Sequence, residues 1–144
     1  MAEDWRLPRV GTAEDPLRLA IFISGSGSGM EALLKHQQDS DCRHTTTVVI
    51  SDRPDVSGLK KAEALGVTAI IVPLPGVLDR DERRLIHENE VNDVLADHGV
   101  EAIILSGYMR ILTPSFVDGW AGRILNIHPS LLPNFPGAHA HRDA

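Results

Sequence analysis

The chain has 144 residues, 42% apolar and 24% charged, which is one globular domain's length and enough to bury a core. Its formal net charge of −6 argues against a broad nucleic-acid-binding face and leaves room only for a local basic pocket. Cys42 is the only cysteine, which excludes an intrachain disulfide and fits a reducing compartment.

Residues 1–16 carry Pro8, Gly11, Pro16 and four acidic groups without periodicity, and a loose leader is expected there. No signal-peptide core opens the chain and no apolar run approaches a membrane span, so a cytoplasmic protein with no membrane partner is expected. Leu17 to Ile23 reads as a buried strand, and Ser24-Gly25-Ser26-Gly27-Ser28-Gly29 follows at once. Helix formers resume at Met30, with Met30, Leu33 and Leu34 on one face. Strand, glycine loop and helix together aim backbone N–H groups and a helix N-terminus at an anion. The dinucleotide fingerprint would need a glycine at position 30, which is Met, and no Gly-Lys-Ser/Thr follows to make a Walker loop. A single phosphate is the simpler guest.

Residues 45–50 form the next strand, rich in β-branched side chains, and Ser51-Asp52-Arg53-Pro54-Asp55 is its turn. Asp52 reads as a turn residue rather than as a reader of ribose hydroxyls. A helix over residues 57–65, with Ser57 as N-cap, ends at Gly66. Residues 67–72 make a third strand. Residues 79–98 make the longest helix, with Leu85, Val91, Val94 and Leu95 as its apolar stripe. Arg80, Arg83 and Arg84 with the acids between them read as a solvated face. His87-Glu88 lacks the second histidine of a zincin, so no metal is expected there. Residues 100–105 are a fourth strand, followed by Ser106-Gly107-Tyr108-Met109-Arg110-Ile111-Leu112. That segment reads either as core packing with one snorkelling arginine or as the wall of a pocket for a flat ligand. Thr113-Pro114 opens a short helix to Trp120.

The fifth strand carries the most informative stretch, Ile124-Leu125-Asn126-Ile127-His128-Pro129-Ser130-Leu131-Leu132-Pro133. On an extended chain Asn126 and His128 point to the same side, at the carboxyl end where open α/β sheets bind ligands. An amide N–H suits a developing oxyanion, and an imidazole carries a proton near neutral pH. Five strands alternating with helices predict an open, mainly parallel α/β sheet with helices on both faces.

Asn126 to Pro133 resembles the signature of folate-dependent formyltransferases. Phe135-Pro136-Gly137-Ala138-His139-Ala140-His141-Arg142 is similar to their phosphoribosylglycinamide (GAR) formyltransferase branch. The glycine loop resembles the family's Ser-Gly-x-Gly-Ser-Asn motif and departs from it at Gly29, where Asn is usual. The resemblance covers residues 17–144 and implies a Rossmann-like formyltransferase domain whose carboxy-terminal part is missing. That missing part would include an Asp which keeps the site's histidine protonated; Asp143 does not match its motif.

By this resemblance Asn126 and His128 are catalytic, and Gly27, Ser28 and Gly29 cradle the substrate phosphate. Met109, Arg110, Ile111 and Leu112 line the folate pocket together with Asn126. Arg84 falls where the family places a folate-contacting arginine, with Arg80 and Arg83 equally available. The implied reaction moves a formyl group from 10-formyltetrahydrofolate to the amine of GAR, with no metal and no nucleic acid. Formyltetrahydrofolate deformylase and methionyl-tRNA formyltransferase share the Asn-x-His logic and remain alternatives. A nucleotide-binding module without catalysis is the alternative from another class. His139 and His141 could bind a metal only with a third ligand, and none is evident. The sequence leaves oligomeric state open.

Overall fold

The computed structural model describes residues 6–127. Five strands and four helices alternate: β1 (Leu17–Ile23), α1 (Ser28–His36), β2 (His44–Ser51), α2 (Ser57–Ala64), β3 (Ala69–Ile71), α3 (Arg80–Asp97), β4 (Ala102–Ser106), α4 (Pro114–Gly119) and β5 (Ile124–Ile127). All strand pairs are parallel, in the order β3-β2-β1-β4-β5. The expected open parallel sheet is therefore present.

β1 lies at the centre, and its apolar residues from Leu19 to Ile23 are buried on both faces, as a parallel strand covered on both sides requires. Period-two alternation divides them. Leu19, Ile21 and Ile23 join Met30, Leu34 and Ala62 beneath α1 and α2, while Ala20 and Phe22 join Val91, Leu95 and Phe116 beneath α3 and α4. Each large side chain buried in these layers contributes about 1.5–3 kcal/mol.

Three local expectations change. Ser57 is the first residue of α2 rather than its cap; Val56 occupies the cap position and no side chain caps that end. In α3, Leu85 is 49% exposed, so the inward stripe is made by Val91 and Leu95 with His87 and Glu88. The two polar members are accommodated because each has a partner: His87 Nε2 lies 2.6 Å from the Val72 carbonyl, and Glu88 accepts from the Thr113 backbone N–H and hydroxyl. Residues 6–16 form neither helix nor strand, and they are tied down rather than loose. Arg9 donates to both carboxylate oxygens of Glu101 at 2.6 and 3.0 Å, and to the carbonyls of Asp15 and Pro16. Among the described residues no helix is long and apolar enough to cross a membrane.

Candidate functional site

The strand order reverses direction between β1 and β4. At that point the connections leaving the two strands head to opposite faces and open a crevice beyond their carboxyl ends. A hollow of about 200 Å³ occupies it, lined by Gly25 to Gly29 from the exit of β1 and by Ser106 and Gly107 from the exit of β4. Gly27 takes the N-cap position of α1 in the left-handed conformation, φ 64°, which glycine adopts without steric cost. No side chain caps this helix, so its first backbone N–H groups are left for a guest. The glycine loop expected from the sequence lies at the switch point.

Gly29 has its own explanation in the fold. A Cβ built there would stand 2.9 Å from Ser106 Oγ and 3.6 Å from Ile127 Cγ2. The buried serine hydroxyl at the end of β4 fills the space that a side chain at position 29 would take.

A second cavity, about 210 Å³, adjoins the first on the α3 side of the sheet. Tyr108, Met109, Arg110, Ile111 and Leu112 form one wall, and Arg80, Arg83, Arg84 and His87 of α3 form the other. Core packing does not account for the wall: Met109 is 76% exposed and Ile111 73% exposed. Tyr108 and Leu112 do pack inward, with the Tyr108 ring 5.2 Å from Phe22, edge to face. Burial raises the Tyr108 pKa above its ordinary value, and the nearby Asp52 charge raises it further, so the phenol stays neutral. The three arginines are not a purely solvated face. All three line the cavity, Arg83 and Arg84 are half-buried, and among the described residues none pairs with a carboxylate. They stand in the first turns of α3, where the helix dipole is already positive, so the cavity wall concentrates positive charge.

A buried network fixes this wall. The Ser24 hydroxyl donates to Asp52 Oδ1 at 2.7 Å and accepts from the Met109 N–H at 2.8 Å. Arg110 Nε donates to Asp52 Oδ2 at 2.8 Å. Asp52 is a turn residue, as expected, and its 1% exposed side chain joins the exits of β1, β2 and β4. Sequence reading missed that role, because its partners stand 28 and 58 positions away.

Asn126 pairs with Leu105 across the β4–β5 ladder and is exposed. Alternation along β5 puts it on the face of Ile124, which packs with Tyr108 and Leu112, whereas Ile127 packs beneath α1. The amide is therefore presented on the side of the sheet that carries the second cavity. His128 lies outside the described residues, as do His139 and His141.

The pattern of the formyl transferase family matches residues 17–144. The chain belongs to the formyl transferase family. It is 36% identical over 130 residues to phosphoribosylglycinamide formyltransferase of Escherichia coli K12, covering 89% of this chain and 58% of that protein. It is 40% identical over 126 residues to the trifunctional purine biosynthetic protein adenosine-3 of Gallus gallus, covering 88% of this chain and 12% of that one. The crystal structure of phosphoribosylglycinamide formyltransferase from Brucella melitensis superposes with a TM-score of 0.74 at 40% identity, over 90% of this chain and 66% of that chain. This family member thus spans little more than half the length of its E. coli relative.

Proposed function

We propose that this chain carries the substrate-binding and formyl-transfer residues of a GAR formyltransferase, acting between 10-formyltetrahydrofolate and the glycinamide amine in purine synthesis. One observation carries the reading. Consecutive residues leaving β4 line both cavities, Ser106 and Gly107 the anion hollow and Tyr108 and Met109 the apolar, arginine-rich cleft. An acceptor held by its phosphate on Gly27, Ser28 and Gly29 would meet a flat, anionic donor lying along Met109 to Leu112. Arg84, Arg80 and Arg83 suit the carboxylates of such a donor, and Arg110 holds the wall through Asp52. A small-molecule reaction in the cytoplasm, with no nucleic acid, fits the acidic chain and its single cysteine.

In this reading the acceptor nitrogen attacks the formyl carbon. The carbonyl oxygen becomes an oxyanion that accepts from the Asn126 side-chain N–H. As the carbon–N10 bond breaks, N10 of tetrahydrofolate takes the proton released by the attacking amine, with His128 as carrier. Asn126→Ala should lower turnover by about 10²–10³ while leaving both KM values near wild type, because its bond strengthens only as the carbon becomes tetrahedral. His128→Ala should do likewise, and the double variant should lose far less than the product of the two losses. Near wild-type turnover in both single variants would remove Asn126 and His128 from the chemistry, whereas substrate binding without turnover in the wild type would leave a binding module without catalysis.

A further inference from the structure

At the end of α1 remote from the glycine loop, two imidazoles and a thiol converge. His36 is the last residue of α1, Cys42 lies in the connection that follows, and His44 opens β2. The ligating atoms of the three residues all lie within 4.8 Å of one another. Cys42 Sγ is 3.6 Å from His44 Nε2, and the two histidine rings lie roughly parallel with centroids 5.8 Å apart. A tetrahedral zinc ion, with Zn–S about 2.3 Å and Zn–N about 2.0–2.1 Å, sets its sulfur and nitrogen ligands about 3.5 Å apart. The Cys42–His44 edge already has that length. Closing the site needs a turn of the exposed His36 side chain and a rotation that aims His44 Nε2 at the ion, since the sulfur stands at nearly the same distance from both ring nitrogens.

We propose that His36, Cys42 and His44 bind a zinc-class cation through three protein ligands, with the fourth position open to water. Gln37 supports the site as an outer partner. The nitrogen of its terminal amide lies 2.9 Å from His44 Nδ1 and its oxygen accepts from Thr46 Oγ1 at 2.8 Å, while Cys42 Sγ stands 3.7 Å from Nδ1 and 3.6 Å from Nε2. A half-turn of that amide exchanges its oxygen and nitrogen. Nδ1–H then donates to the amide oxygen, the tautomer in which Nε2 offers its lone pair. The carboxyl end of α1 adds the negative end of a helix dipole. Thiolate and imidazole are the donors zinc selects over calcium or magnesium. The ion would staple α1 to β2, away from both cavities and independent of the formyl-transfer reading.

The test is titration of the purified protein with Zn²⁺ against a chromophoric chelator, and with Co²⁺ followed by absorption. One equivalent should bind, and Co²⁺ should give tetrahedral bands together with a thiolate charge-transfer band that Cys42→Ser removes. His36→Ala, an exposed change that leaves the fold intact, should weaken Zn²⁺ at least about 100-fold. Gln37→Ala should weaken it by about 10–100-fold, as loss of an outer-shell partner does. Wild-type affinity in Cys42→Ser and His36→Ala, or a Co²⁺ spectrum without the thiolate band, would overturn the proposal. So would a loss of binding produced only by replacing His139 and His141.

Discussion

Replacing Asp52 by Ala removes the acceptor for two donors at once. The Ser24 hydroxyl is buried and has no route to solvent, so leaving it without an acceptor costs about 1–3 kcal/mol. Arg110 is 44% exposed on its side chain and rehydrates, so its share is nearer the 0–1 kcal/mol or so of a surface pair. Together the loss is about 1–4 kcal/mol, which lowers Tm by roughly 3–12 °C for a domain of this size. Ser24 also holds the Met109 N–H, so the cleft wall should loosen and donor affinity should fall more than acceptor affinity. Asp52→Asn keeps an acceptor for Ser24 and should recover most of the stability. Thermal and urea unfolding, with separate titrations of the two substrates, measure each part. An Asp52→Ala protein within about 0.5 kcal/mol of wild type, the ordinary range for a surface substitution, would show that the network does not hold the wall.

Gly27→Val places a β-branched residue at φ 64° and brings its Cβ to 3.0 Å from Met30 Cε, so stability should drop by about 1–3 kcal/mol. Acceptor KM should rise well above donor KM; equal rises would mean a folding defect rather than a lost phosphate site. Met109→Asp puts a carboxylate on the exposed apolar wall and should weaken the donor while phosphate binding stays near wild type, measured by calorimetry. Unaltered donor affinity would place that ligand elsewhere. The Arg9 hydrogen bonds hold the Glu101 pKa below its ordinary value, so Glu101 stabilises the folded state above the unfolded carboxyl's pKa of about 4.3. That contribution is lost as pH falls through the depressed folded value. Tm curves of wild type and Glu101→Gln should therefore differ at pH 7 and converge in acid; a constant gap would remove Glu101 as the cause.

What the sequence made legible was whatever local pattern decides. The unbroken apolar run of β1 announces a strand buried on both faces, and the glycines after it announce a loop that offers its backbone. What stayed hidden depends on partners far along the chain. Hydropathy assigned the inward face of α3 to Leu85 because it cannot see that His87 and Glu88 find acceptors and donors in Val72 and Thr113. Gly29 read only as a departure from the usual Asn until Ser106, 77 positions later, appeared against it. Arg80, Arg83 and Arg84 read as solvated because interspersed charge usually is, and only the packing of α3 against the β4 exit turns them toward a cavity.

Gly58 of α2 touches the loop before Gly27 so closely that a Cβ there would stand 2.8 Å from the Gly25 carbonyl and 2.5 Å from Ile23 Cδ1. Its N–H donates to that carbonyl at 3.2 Å, while Asp52 anchors Ser24 just upstream. The glycine segment is thus clamped from both sides before any guest arrives, despite a composition suited to a flexible linker. The consequence is kinetic. With little chain entropy left to lose on capture, an anion should bind in one concentration-dependent step, without a slower ordering phase behind it.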